Sequence, residues 1–198
     1  ELKQVCRDEL FAAFSGAHVE RGHICNASVH VIICDAQSDC SLSLAQHIAS
    51  HHHTLVVVQD NARVHLRLTA QPQRDALATG GVTLVTGQDV QVHVFEEVSS
   101  SYQSAFVHRS RLVLGERAAA QWFVSVRAPR LIGGVHGVFR GVDASLRATL
   151  QVFHSEGQDI DLDAIVQHLA PRTESDLLCA GALARSRVVT RSLIVIAP

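Results

Sequence analysis

A near-constant internal repeat constrains this chain more than any other feature. Short apolar segments recur around one small residue. They read Val31-Ile32-Ile33-Cys34-Asp35-Ala36, Val57-Val58-Gln59-Asp60-Asn61-Ala62, Leu84-Val85-Thr86-Gly87-Gln88-Asp89-Val90, Leu112-Val113-Leu114-Gly115-Glu116-Arg117-Ala118 and Val138-Phe139-Arg140-Gly141-Val142-Asp143-Ala144. Between the closing residues Ala36, Ala62, Val90, Ala118 and Ala144 the steps are 26, 28, 28 and 26 residues, a period of about 27. Before each pivot stands a turn former, either a glycine (Gly87, Gly115, Gly141) or an Asp or Asn (Asp35, Asn61, Asp89, Asp143), where the chain can reverse at least cost. Alternation then resumes, with Val64, Leu66 and Leu68 set against Arg63, His65 and Arg67, and Val90, Val92 and Val94 against Gln91 and His93. That period of two predicts strands with one buried and one wet face. Two strands of about eight residues and two turns fill one period, so the expected fold is all-β, a flattened parallel β-solenoid whose coils share one core. A sandwich of antiparallel hairpins would also use short alternating strands, but it does not demand a constant period.

Two kinds of segment depart from the repeat. In the stretch 1–24, Leu2, Val5, Cys6, Leu10, Ala13 and Phe14 fall at helical spacing and Gly16 stands where a helix would end. This predicts a short helical lead-in capping the open end of a β-helix domain over 25–198. The stretches 70–81, with Pro72 and Gly80-Gly81, and 128–137, with Pro129 and Gly133-Gly134, read as longer turns between coils.

Composition removes several classes of function. The 17 Lys plus Arg against 19 Asp plus Glu leave a formal charge of −2, which offers no general attraction to nucleic acid or an anionic membrane. No apolar run approaches the roughly eighteen residues of a membrane span, and the first twenty residues lack a basic or signal-type leader, so a soluble protein is expected. The five cysteines form an odd set without a CxxC pair, which fits a reducing, cytoplasmic setting better than a disulfide framework or zinc ribbon. There is no Met, even at position 1, so the chain reads as an internal segment or one that has lost its start. No G-x-S-x-G elbow, P-loop or dinucleotide fingerprint occurs, which argues against an enzyme using ATP or NAD by itself.

Three groups of residues invite chemistry. His51-His52-His53, and separately His18, His23, Cys25 and His30, supply metal-type ligands, but neither has the spacing of a zinc motif, and turn or surface roles are expected. His65 and His93 occupy equivalent places in successive repeats and should lie beside each other on one face. In Gln158-Asp159-Ile160-Asp161-Leu162-Asp163-Ala164 strict alternation puts three carboxylates on one face. Unpaired, they would repel one another and resist ionisation. In a groove they could act as acid and base on a sugar, which makes a β-helical carbohydrate-active enzyme using Asp159, Asp161 and Asp163 the alternative reading. An exposed strand face looks the same in sequence, and one Trp and one Tyr leave few aromatics to stack on sugars.

The last forty-five or so residues carry a more specific pattern: Gln158-Asp159, then Asp161, then His168-Leu169-Ala170-Pro171-Arg172-Thr173-Glu174-Ser175, then Gly181-Ala182-Leu183. It resembles the SufB/SufD family of the SUF iron–sulfur cluster assembly system, in which a Gln-Asp strand leads to an H-x-A-P-x-T-x-S segment and a glycine followed by apolar residues. The turns at Leu114-Gly115-Glu116-Arg117-Ala118 and Phe139-Arg140-Gly141-Val142-Asp143-Ala144, and the lead-in Glu9-Leu10-Phe11-Ala12-Ala13-Phe14, are similar to the family's as well. The similarity is strong over 112–196 and weaker elsewhere. It implies a right-handed parallel β-helix acting as a non-catalytic scaffold, in a homo- or hetero-dimer with a SufB-like homologue and bound to a SufC-like ATPase. On this reading the ATPase activity belongs to the partner, the iron–sulfur cluster is held transiently by the complex, and this chain binds no cofactor firmly. Gln158, Asp159, Asp161, His168, Ala170, Pro171, Thr173, Ser175 and Gly181 would be mainly structural, with Thr173 and Ser175 bonding the turn, Pro171 fixing φ and His168 orienting the corner. The family's cluster-linked Cys, His and Glu residues and its ATPase-binding helices lie beyond the point where this chain ends at Pro198. No cysteine stands where a sulfur acceptor is expected, which points to the SufD-like type, and Cys179 is not expected to be a ligand.

Overall fold

The computed structural model describes residues 27–34, 39–48, 51–72, 78–100, 105–153, 159–182, 185 and 187–197; the predicted helical lead-in and Gln158 lie outside them. Thirteen strands follow one another among these residues: β1 (Ala27–Cys34), β2 (Asp39–Ile48), β3 (His51–Val58), β4 (Arg63–Pro72), β5 (Ala78–Thr86), β6 (Gln91–Ser99), β7 (Phe106–Leu114), β8 (Ala119–Arg127), β9 (Arg130–Phe139), β10 (Ser145–Phe153), β11 (Asp159–His168), β12 (Glu174–Ala182) and β13 (Arg187–Ile196). Odd-numbered strands form one sheet in the order β1-β3-β5-β7-β9-β11-β13, and even-numbered strands the other, β12-β10-β8-β6-β4-β2. Every pairing is parallel, so each coil gives one strand to each sheet and stacks on the coil before it. This is the parallel β-solenoid that the repeat predicts.

The pivots form a column. Ala62, Val90, Ala118 and Ala144 are each buried to 1% exposure or less. Their carbonyls accept hydrogen bonds from the N–H groups of Gln91, Ala119, Ser145 and Glu174, each one coil further on. The residue before each pivot has a left-handed backbone: Asn61 (φ 63°), Asp89 (56°), Arg117 (51°), Asp143 (58°) and, one coil later, Arg172 (55°). Asn and Asp tolerate that region well; an arginine there must be held by its surroundings. Arg117 donates from Nε and Nη2 to both carboxylate oxygens of Asp89, each at 2.6 Å, and Arg172 does the same to Asp143 at 2.6 and 2.8 Å. The left-handed turn thus aims each guanidinium at the acid of the coil below.

The glycines serve a different purpose from the reversal expected of them. Gly87, Gly115 and Gly141 stack where a Cβ would strike the Asp60 carboxylate, the Gly87 carbonyl and the Glu116 backbone respectively, so close approach between coils excludes a side chain. The glycine pairs of stretches 70–81 and 128–137 lie in strands, while residues 73–77 of the first stretch lie outside the described residues. Gly80 and Gly81 lie within β5, and Gly133 and Gly134 within β9. A Cβ on Gly133 or Gly134 would meet the carbonyl oxygen of His108 or Asp163 on the neighbouring strand. The punctuation that reads as a loop in sequence is backbone crowding inside a sheet.

The lumen is filled by the inward rows of both sheets, with Trp122, Phe106, Phe139, Leu114 and Ile160 among the largest fully buried side chains. Burial does not stop at one face. Leu55, Val57, Val85, Val113 and Val138 form a second buried apolar row on the outward side of the odd-numbered sheet. Parallel strands are commonly covered on both faces, which accounts for the unbroken Leu55-Val56-Val57-Val58 run.

The corner pairs make stability depend on acid. The guanidinium hydrogen bonds of Arg117 and Arg172 hold the Asp89 and Asp143 carboxyls below the usual carboxylate range. A group depressed on folding stabilises the protein above its unfolded pKa and loses that contribution as pH falls through its folded value. Urea midpoints should therefore fall as pH drops below about 4, and the Asp89→Asn/Asp143→Asn variant should show a shallower fall. An identical slope in the double variant would mean that these pairs do not form.

Candidate functional site

Three groups of polar side chains among the described residues bear on the candidate site. The first is β11, where alternation sets Asp159, Asp161 and Asp163 outward and Ile160, Leu162 and Ala164 into the lumen. The strand is paired on both sides, and its register places Arg187 beside Asp159 and Arg191 beside Asp163. Arg191 donates to Asp161 at 2.5 and 2.8 Å and to Asp163 at 3.2 Å. One cation therefore satisfies two of the three acids, which are half exposed on a sheet face. A glycosidase needs one carboxyl kept protonated and one ionised, so the carbohydrate reading is not favoured.

The second place is the corner after β11. His168 faces inward in the column Leu114-Phe139-His168-Ile196, and its ring stacks on Phe139 with centroids 4.6 Å apart and planes at 18°. Nδ1 lies 2.7 Å from Thr173 Oγ1 and Nε2 lies 3.0 Å from Ser175 Oγ. The Thr173 hydroxyl donates to the Ala170 carbonyl at 3.1 Å, so its oxygen accepts from Nδ1–H. Both ring nitrogens are thus engaged by hydroxyls, and a metal could bind only by displacing one of these contacts. Pro171 offers its carbonyl to the Asp143 N–H at 3.4 Å, tying the corner to the coil below. Gly181 lies in β12 opposite Val152.

The third place escaped the sequence reading. Glu96 from β6 is fully buried in the inward column Leu68-Glu96-Val124-Leu150-Cys179. Its Oε1 accepts from His108 Nε2 and Ser110 Oγ, both at 2.6 Å, and its Oε2 from Trp122 Nε1 at 3.0 Å. Three donors satisfy both oxygens of a carboxyl group that is out of contact with water. The signal was present in the phase of the strand: Val92, Val94, Glu96 and Val98 share the inward positions of β6. Ser110 bonds Glu96 at a shorter distance than the 3.2 Å to His108, and all four side chains are buried. The constellation is therefore a knot that ties the two sheets together, without the exposed hydroxyl a nucleophilic relay requires.

Several of the described histidines are engaged by neighbouring hydroxyls. His53 Nε2 lies 3.0 Å from Thr83 Oγ1 and His52 Nε2 lies 3.1 Å from Thr54 Oγ1. Among the described residues no three His, Cys, Asp or Glu side chains are placed to hold a metal ion. His18, His23 and Cys25 lie outside the described residues. Cys34 is buried at the end of β1, whereas Cys179 lies on β12, five coils and so about 24 Å further along the stack at about 4.8 Å per coil. Partial burial pushes the Cys179 thiol up, away from the reactive thiolate.

Stacked coils, ladders of side chains bonded from coil to coil, and polar groups engaged in holding corners and lumen together define the chain as a parallel β-solenoid. The family model described as SUF system FeS cluster assembly, SufBD core domain, matches residues 29–198. The chain belongs to the SufB/SufD family, and its place is in SUF iron–sulfur cluster assembly. No curated protein and no solved structure matches it.

Proposed function

We propose that this chain is a SufD-like scaffold component of SUF iron–sulfur cluster assembly, pairing with a SufB-like homologue and working with a SufC-like ATPase. The observation that carries this reading is the family match over 29–198, a span that coincides with the stack of parallel coils. The nascent cluster is cargo of the complex, and ATP hydrolysis belongs to the partner. A cytoplasmic setting is part of the proposal; among the described residues no helix is long and apolar enough to cross a membrane.

Co-expression with a SufB-type subunit and a SufC-type ATPase, followed by affinity purification through this chain, should recover both partners. Anaerobic reconstitution with iron and sulfide should give the visible absorbance of a cluster in that complex and little in this chain alone. Failure to recover either partner would refute the pairing, and strong cluster absorbance in the isolated chain would refute the division of roles.

A further inference from the structure

The outward face of the even-numbered sheet carries two ladders of side chains that run along the solenoid axis. In the first, His65 on β4 stacks on His93 on β6 with centroids 4.8 Å apart and planes at 19°, and the column continues through Gln121 and Arg147. In the second, the Arg67 guanidinium lies over the Phe95 ring at 5.5 Å, and Phe95 stacks on Phe123 with centroids 5.3 Å apart and planes at 8°. Between the ladders runs an open trough of about 430 Å³ lined by both.

Stacking within the ladders decides what this trough can hold. Phe95 has a guanidinium on one ring face and Phe123 on the other, so its π-faces are consumed along the axis and its edge points outward. Aromatic edges carry the positive end of the ring quadrupole. The trough lining therefore includes ring edges, imidazole nitrogens and the guanidiniums of Arg67 and Arg147, and these two arginines make it complementary to negative charge. Arg147 meets Asp176 at 3.3 Å, but both side chains are about 70% exposed, so an incoming carboxylate can replace that contact.

We infer that this trough docks an extended acidic segment of a partner polypeptide. Four strands at about 4.8 Å spacing give it a length of about 14 Å, which matches about four residues of extended chain. A single-stranded nucleic acid gains much of its affinity by stacking bases on exposed aromatic faces, and the faces of Phe95 are already covered. The inference stands on this face alone and does not depend on the SUF reading.

Fluorescence anisotropy of a fluorescein-labelled oligoglutamate peptide, titrated with the whole chain at low salt, tests it. Binding should weaken steeply with added salt, and Arg67→Gln/Arg147→Gln should weaken it about tenfold, as loss of two modest charge contacts implies. Arg67→Lys/Arg147→Lys should retain most of the affinity, which separates lost charge from lost fold. Arg109→Gln, on the outward face of the other sheet, should change affinity less than about twofold. The inference is overturned if the peptide does not bind, if the Arg67/Arg147 and Arg109 variants behave alike, if a labelled oligonucleotide of equal charge binds more tightly, or if inorganic phosphate at equal charge competes as well as unlabelled peptide.

Discussion

Glu96→Leu is expected to destabilise the chain by about 3–5 kcal/mol, because it removes the acceptor from three buried donors at once. His108 Nε2, Ser110 Oγ and Trp122 Nε1 all converge on that carboxylate from strands of both sheets, at 2.6, 2.6 and 3.0 Å. Leu occupies similar volume, so the loss measures unsatisfied polar groups and not a cavity. For a domain of this length, each kcal/mol lowers the melting temperature by about 2–4 °C, giving a fall of about 6–20 °C. Adding His108→Leu and Ser110→Ala to Glu96→Leu should recover part of the loss, since only the Trp122 N–H then remains unpartnered. Urea unfolding followed by Trp122 fluorescence measures all three variants. A Glu96→Leu midpoint equal to the parent's would show that the lumen does not contain this knot.

Phe139→Ala should have an effect of similar size, about 3–5 kcal/mol, for a different reason. Phe139 is fully buried at the end of β9, between Leu114 below and His168 above. Alanine there opens a cavity in a column whose register is set by backbone hydrogen bonds on both sides, so the coils cannot collapse to fill it. The same substitution removes the face on which His168 stacks at 4.6 Å. A double-mutant cycle with His168→Ala should therefore show a coupling of about 0.5–1.5 kcal/mol. A loss below about 1 kcal/mol, or additive effects, would mean that the corner after β11 is not packed on the coil beneath it.

Some of this architecture was written in the chain at short range. Period-two alternation after each pivot produces strands, and a constant step of 26 to 28 residues can be met by parallel coils more simply than by hairpins. The stacking of His65 on His93 follows from the same register. The H-x-A-P-x-T-x-S run pointed to the family, and the match over 29–198 bears that out at the level of SufB/SufD. Other features depended on contacts that no local pattern records. Gly133-Gly134 reads as a turn because glycine usually punctuates, yet it sits in β9 because neighbouring backbones leave no room for a Cβ. Arg117 and Arg172 carry no turn signal; their left-handed backbones are bearable because each guanidinium closes on an aspartate 28 or 29 positions earlier.

The same division runs through the candidate sites. Asp159, Asp161 and Asp163 share a face by alternation alone, but Arg191, 30 positions from Asp161, decides that two of them are ion-paired. Glu96 occupies an inward position in its strand, so the sequence already places a carboxylate in the core. That it can remain there follows from His108, Ser110 and Trp122 arriving from two other strands, 12, 14 and 26 positions away. Sequence by itself determined the strands, their period and the family, because those depend on neighbours along the chain and on side-chain type. Tertiary structure alone decided which charges are neutralised and which glycines are crowded, because those depend on what the adjacent coil brings within a few ångströms.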